Sequence, residues 1–139
     1  MGASREVMSL YDEPLWASIR ARNMQLQVCA QCAAWRYPPA PVCPHCLSME
    51  AQWKPLSGAG TILSWVIFHR QYFDDFKPPY NAIAVQLAEG PIVISNLGGA
   101  APAGSWIGER VELCYVEHSA TRTLPQFRWT ASTGAPGAA

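Results

Sequence analysis

Residues 29–46 constrain this chain more than any other stretch. They read Cys29-Ala-Gln-Cys32, then ten residues, then Cys43-Pro-His-Cys46. Each Cys-x-x-Cys is a tight turn that aims two sulfurs at one centre. Two such turns supply four thiolates, the tetrahedral set a structural Zn²⁺ prefers. Between them Tyr37-Pro38-Pro39-Ala40-Pro41 pre-sets an extended backbone, so little chain entropy is lost in bringing the second pair back to the first. Five Cys in all is an odd count that argues against a closed disulfide scaffold. The competing reading is a pair of redox dithiols or disulfides, and spacing alone does not separate zinc from a rubredoxin-like iron site. His45 lies between two ligands, but four Cys already complete the shell, so it reads as a surface residue. An all-Cys site leaves no open catalytic position. The expected metal is one structural Zn²⁺, whose binding energy is folding energy for a segment without its own core.

The flanking sequence divides the expected architecture into four parts: a helical arm over residues 1–26, the ribbon over 27–53, a β domain over 54–130 and a disordered tail over 131–139. In the arm, Asp12-Glu13-Pro14 is a helix start and Asn23 a stop. Leu15, Trp16 and Ile19 follow at helical spacing, and residues 4–8 suggest another short turn or helix. The apolar stripe either packs on the chain's own ribbon and barrel or docks on another subunit. Beyond residue 56 the pattern changes to strands punctuated by Gly and Pro. Strands are expected over 61–68, 80–87, 91–97, 109–117 and 123–129, the last an edge because Pro125 interrupts it. Strand 61–68 is so continuously apolar that both of its faces are expected to be covered, by the arm or by a partner. Five strands without a long helix suit a small closed barrel of the OB type, with a sandwich as the alternative. The fold class is mainly β.

Charged residues make up 14% of the chain, against roughly a quarter in ordinary domains, and the formal net charge is zero. So little charge hints at apolar surface covered by a partner. It also argues against nucleic acid, whose binders carry a basic excess. No run approaches a membrane span. The first eleven residues hold no apolar leader, and thiolate–metal chemistry fits a reducing compartment, so the expected location is the cytoplasm.

The order of parts resembles the DUF35 family of OB-fold proteins with a rubredoxin-like zinc ribbon, over roughly residues 13–129. The matching pieces are Leu15-Trp16 with Arg20, Leu26-Gln27-x-Cys29-x-x-Cys32, Tyr37-Pro38-Pro39, Cys43-Pro44-x-Cys46, Ser57-Gly58-x-Gly60-Thr61, Pro79-Tyr80, Glu89-Gly90-Pro91, Gly108 and Leu124-Pro125-x-Phe127. One departure stands out. The family often has Gly after the second Cys of each pair, where this chain has Ala33 and Leu47. The resemblance implies an accessory subunit without catalytic residues, helping a thiolase-superfamily acyltransferase complete its acyl-CoA site. Related members imply CoA-ester hydratases or retro-aldolases as alternative partners. A single-stranded nucleic-acid module is the third alternative, since OB-folds and zinc ribbons both serve there.

Within that frame the CoA ester, as a shared ligand, has candidate contacts. Arg70 and Lys77 could meet its phosphates, and Phe68 or Tyr80 could stack on its adenine, with His69 and Asn96 nearby. The bland alternative is that Phe68 is core while His69 and Arg70 are solvated. Candidate partner contacts are Leu15, Trp16 and Ile19 in the arm, and Tyr72, Phe73 and Phe76 in the loop after strand 61–68. A Cys–His pair built on Cys114 with His69 or His118 is the obvious independent chemistry, but Glu112 beside Cys114 would not activate it.

Overall fold

The structure is a computed structural model and describes residues 2–5 and 9–130. The expected tail at 131–139 and most of the possible turn at 4–8 lie outside the described residues. The elements are helix α1 (Glu13–Arg20) and strands β1 (Gln25–Cys29), β2 (Trp35–Arg36), β3 (Ala51–Pro55), β4 (Ala59–Phe68), β5 (Tyr80–Leu87), β6 (Ile92–Ser95), β7 (Leu97–Gly98), β8 (Arg110–Ser119) and β9 (Arg122–Trp129). They form a mainly β protein: a three-stranded ribbon sheet in the order β2-β1-β3 and a six-stranded sheet in the order β6-β5-β4-β8-β9-β7. Among the described residues no helix is long and apolar enough to cross a membrane.

The six-stranded sheet is the OB-fold, with one strand more than expected. Residues 91–97 form two strands because Asn96 breaks the ladder. Asn81 on β5 replaces the missing pairing: its Nδ2 donates to Leu97 O at 2.8 Å and its Oδ1 accepts from Leu97 N–H at 2.6 Å, while Asn96 Nδ2 donates to Asn81 O. The chain is thereby handed from β5 to β9, where Leu97 pairs in parallel with Phe127. The ladder is not closed, because β6 and β7 at its two ends are consecutive strands rather than paired ones. Pro125 sits in the half of β9 that pairs with β8 alone, where a missing donor costs nothing. Gly60 pairs with Leu87 on one side and Val111 on the other. A Cβ there would lie 2.5 Å from Val85 Cγ1, so only glycine fits where the sheet bends most tightly.

Helix α1 covers the opening between β6 and β9. At eight residues it is too short to persist alone. Its stability comes from Leu15 and Ile19, which are 5% and 1% exposed in one core cluster with Met24, Leu26, Val93, Leu97 and Phe127. Burial of that kind contributes roughly 1.5–3 kcal/mol per side chain. The helix stops two residues before the expected Asn23, because Arg22 turns left-handed at φ +57° and its N–H closes on Ile19 O. Asp12 heads the helix without capping it through its side chain, which instead accepts from Ser9 N–H at 2.8 Å. Met24 N–H donates to Tyr115 Oη at 2.7 Å and Leu56 N–H to Met24 O at 3.0 Å, tying arm, ribbon and barrel together.

Strand β4 is only partly covered by the described residues. Of residues 61–68 only Ile62 is buried, while Leu63, Val66 and Ile67 are exposed. Val66 pairs with Ala82 on the outer face and Ile67 with Asn81 on the inner one, so cover for both faces would have to come from outside these residues.

The extreme N-terminus is pinned through Asp75. That carboxylate accepts from Ser4 N–H at 2.7 Å, Ser4 Oγ at 2.5 Å and His118 Nε2 at 2.6 Å, with Arg122 Nη1 at 3.7 Å. Burial by itself would raise its pKa, but the Ser4 and His118 hydrogen bonds outweigh that and hold it well below the usual carboxylate range. A depressed carboxylate stabilises the fold fully above its unfolded value of about 4, begins to lose that contribution below it, and loses it completely only as pH falls through the lower folded value. Acidification well below pH 4 is therefore expected to release residues 2–5. Asp75→Asn should do the same at pH 7, measured as amide exchange relative to the intrinsic rate at each pH.

Candidate metal centre

The two Cys pairs build two copies of one turn. In the first, Cys29 ends β1, its carbonyl accepts from Ala33 N–H at 2.9 Å, and its sulfur receives Gln31 N–H at 3.4 Å and Cys32 N–H at 3.5 Å. In the second, Cys43 O accepts from Leu47 N–H at 3.0 Å and Cys43 Sγ receives His45 N–H at 3.4 Å. Ala33 and Leu47 occupy left-handed backbone at φ +63° and +65°. These are the positions where glycine would be unstrained, so each side chain is carried at a cost. Replacing both with Gly is expected to stabilise the ribbon by about 0.5–1 kcal/mol per site, the left-handed strain relieved less the entropy glycine loses on folding. A zinc-competition titration against a chromophoric chelator and thermal unfolding of the double variant check this.

All four sulfurs lie within 4.8 Å of one another. Cys29 and Cys46 sulfurs are 3.5 Å apart, and those of Cys32 and Cys43 3.6 Å. A tetrahedral ion with bonds of about 2.3 Å needs sulfurs about 3.8 Å apart, whereas a disulfide needs about 2.05 Å. The set therefore fits a tetrahedral metal and no disulfide pairing. Cys29 and Cys43 are buried, Cys32 and Cys46 exposed. Backbone N–H donors hold the Cys29 thiol down at about 6, Cys32 N–H contributing most, and Cys43 is lowered in the same way by Cys46 and His45 N–H. For Cys32 the Ala34 N–H favours the thiolate, but the neighbouring sulfurs and burial outweigh it and push the thiol up to about 12; Cys46 is raised likewise. The N–H donors of both turns thus favour the thiolate form at Cys29 and Cys43. The His45 ring stays exposed, outside the ligand set.

The remaining candidate residues separate into two groups. Phe68 stacks on Tyr80, ring centres 5.0 Å apart, and meets Tyr72 edge-on at 6.0 Å. Phe76 tilts against Tyr80 at 5.7 Å and stacks on His118 at 4.7 Å. Arg70 lies over the Tyr72 ring at 5.6 Å. Phe68, Arg70, Tyr72, Phe76 and Tyr80 therefore form one aromatic group at the end of β4 and β5. His69 and Lys77 are exposed beside them in sequence, as is Phe73. Asn96 is bonded to Asn81 and serves the fold. In the arm, Leu15 and Ile19 face the chain's own core, which settles the choice posed for them; Trp16 is only half-buried. Cys114 is half-buried on β8, and burial raises its thiol, with Glu112 adding and Arg128 opposing. That is the reverse of an activated nucleophile.

Sequence reasoning missed the outer face of the β4-β5-β6 layer. Register aligns Ser64 with Ala84 and Ala84 with Ile94, and Val66 with Ala82. These residues and Ile92 point away from the core, and none carries a charge. Val66, Ile92 and Ile94 are 49%, 50% and 70% exposed. The period-two alternation of 82–87 held the signal on β5, but on β4 the bulge between Ile62 and Ser64 hides it.

Fold and metal set together define an OB-fold protein carrying a rubredoxin-like zinc ribbon. Family models bear this out: residues 26–50 match the rubredoxin-like zinc ribbon domain of ChsH2 and residues 53–116 its C-terminal OB-fold domain. The solved structure of an Ltp2–ChsH2(DUF35) aldolase contains a chain 33% identical to this one, with a TM-score of 0.83, over 90% of this chain and 98% of that one. The chain belongs to the DUF35 family. A DUF35 domain-containing scaffold protein from Pyrococcus furiosus is 34% identical over 66% of this chain and 63% of its own length. A probable enoyl-CoA hydratase alpha subunit from Thermomonospora curvata is 36% identical over 84% of this chain. This chain spans only 37% of that subunit's length.

Proposed function

We propose that this chain is a non-catalytic subunit of a CoA-ester-processing complex, in which the ribbon and the OB-fold present a docking surface to a catalytic partner. The observation that carries this reading is the uncharged outer face of Val66, Ala82, Ala84, Ile92 and Ile94. A contiguous apolar face of this kind is the core of an interface rather than a solvated surface. It also weighs against nucleic acid. The strands corresponding to β5 and β6 form the oligonucleotide-binding face in other OB-folds, and here that face offers no cation, with its rings, Phe68 and Tyr80, confined to one end. The aromatic group around Phe68, Tyr72 and Tyr80, with Arg70 above it and Lys77 nearby in sequence, is the part of the surface suited to a CoA adenine and its phosphates.

For the partner we propose a thiolase-superfamily enzyme that supplies the nucleophile and acid–base groups. The named relatives favour a second reading, a hydratase or an aldolase, and the experiment separates the two. The chain is expressed with its neighbouring genes, the complex purified, and turnover measured with 3-ketoacyl-CoA, enoyl-CoA and β-hydroxyacyl-CoA esters. Val66→Lys and Ile94→Lys are expected to weaken the complex by about 2 kcal/mol, roughly thirtyfold in Kd, with unchanged zinc content. A monomeric chain beside a fully active neighbour would sink the proposal.

A further inference from the structure

A second surface, where the ribbon meets the β5–β6 turn, has unmet polar groups. A cleft of about 650 Å³ lies between the ribbon and the β5–β6 turn, with Trp35, Arg36, Tyr37 and Val42 on the ribbon side and Glu89 and Pro91 on the barrel side. Arg36 is 3% exposed. Its Nη1 donates to Ala40 O at 2.9 Å, but among the described residues Nε and Nη2 have no acceptor. Glu89 Oε2 accepts from Ser57 N–H at 2.7 Å, and among the same residues its Oε1 has no donor. A buried guanidinium and a carboxylate thus each keep unused hydrogen-bonding capacity beside one opening. Native folds rarely leave such groups unmet.

The chemistry of the pair limits what can satisfy it. A carboxylate or phosphate would suit Arg36 and be repelled by Glu89. An ammonium or guanidinium would suit Glu89 and be repelled by Arg36. A neutral group carrying both an acceptor and a donor satisfies both, and an extended polypeptide offers that pair at every residue. The Trp35, Tyr37 and Pro91 side chains supply apolar walls for its flanking side chains. We propose that this cleft receives an extended peptide segment of the catalytic partner, with one backbone carbonyl accepting from Arg36 and one backbone N–H donating to Glu89. The proposal rests on the reading of the chain as an accessory subunit.

Hydrogen–deuterium exchange on the zinc-loaded chain, alone and in the complex purified with its neighbouring genes, tests this. Exchange at residues 35–42 and 89–91 is expected to slow about tenfold on complex formation. Val42→Trp, which fills the cleft from its rim, should weaken the complex about tenfold, and Glu89→Gln several-fold. Zinc content and melting temperature report whether each variant is folded, and the exchange result stands without them. Twelve-residue peptides tiled along the partner should include one that slows the same residues. If the complex forms while these residues exchange as in the free chain, the cleft proposal is overturned and the accessory reading stands. If acetate or phosphate alone reproduces the protection, the occupant is a small anion and the proposal is overturned as well. If no catalytic neighbour binds, the accessory reading falls and the cleft proposal with it.

Discussion

Cys43→Ser is expected to abolish zinc binding and unfold the ribbon. Metal analysis should fall from one zinc per chain to none. The reason is the scale of the energies involved: structural zinc contributes about 10–16 kcal/mol in small ribbon-like peptides, while a whole domain is stable by about 5–15 kcal/mol. The three strands over residues 25–55 have little else to hold them. β2 is two residues long and β3 is largely exposed. The loss will not stop at the ribbon, because Leu26 of β1 is fully buried in the same cluster as Ile62, Val85 and Phe127 of the barrel. The variant should therefore show rapid amide exchange over residues 25–55 and a lowered melting temperature for the rest. A chelator such as EDTA added to the native chain should reproduce both effects, and reloading zinc should reverse them for the native chain alone. A Cys43→Ser chain that kept its zinc and its ribbon protection would refute the four-thiolate assignment.

Phe127→Ala should have the second largest effect, through the barrel instead. Phe127 is 1% exposed and among the largest of the fully buried side chains. It pairs with Leu97 on one side and Leu113 on the other, and its N–H donates to Asn96 O at 3.0 Å. It therefore fills the seam between β7, β9 and β8. Truncation to Ala removes the ring's transfer energy and leaves a cavity, at a cost of about 3–5 kcal/mol. Urea unfolding should show a lower midpoint of that size with zinc retained, the reverse of the Cys43→Ser pattern. Closely similar unfolding curves for Phe127→Ala and the native chain would show the seam to be packed by other residues.

These contrasts bear on how the parts cooperate. Four sulfurs fill a tetrahedral shell around one metal ion. The ribbon's effect is geometric: it fixes Trp35, Arg36 and Tyr37 against the β5–β6 turn, and β1 carries Leu26 and Val28 into the barrel's neighbourhood. A partner that grips both the outer face of β4-β5-β6 and the cleft between ribbon and β5–β6 turn would contact two surfaces whose relative placement depends on the metal.

Much of this was legible in the residues. The metal set was, because Cys-x-x-Cys spacing forces both sulfurs of a pair to one side of a turn whatever the rest of the chain does. The β5 strand was, because its alternation of small or polar residues with Ile83, Val85 and Leu87 has the period of a half-buried strand. Asn96 was harder: an Asn inside an apolar run looks tolerable until Asn81, fifteen residues earlier, is seen to take over its backbone partners.

What the sequence by itself determined are features set by local spacing: four ligands for one metal, a short amphipathic helix and a series of strands. What only the tertiary structure decided are features set by which surfaces meet. Leu15 and Val66 are both apolar residues in apolar segments. One is sealed against the core because α1 lies over the opening between β6 and β9, and the other is bare because no described residue lies over the outer face of β4. Arg36 and Glu89 are 53 positions apart in the chain. Burial and an unmet hydrogen bond depend on neighbours supplied from that distance, and no local pattern encodes them.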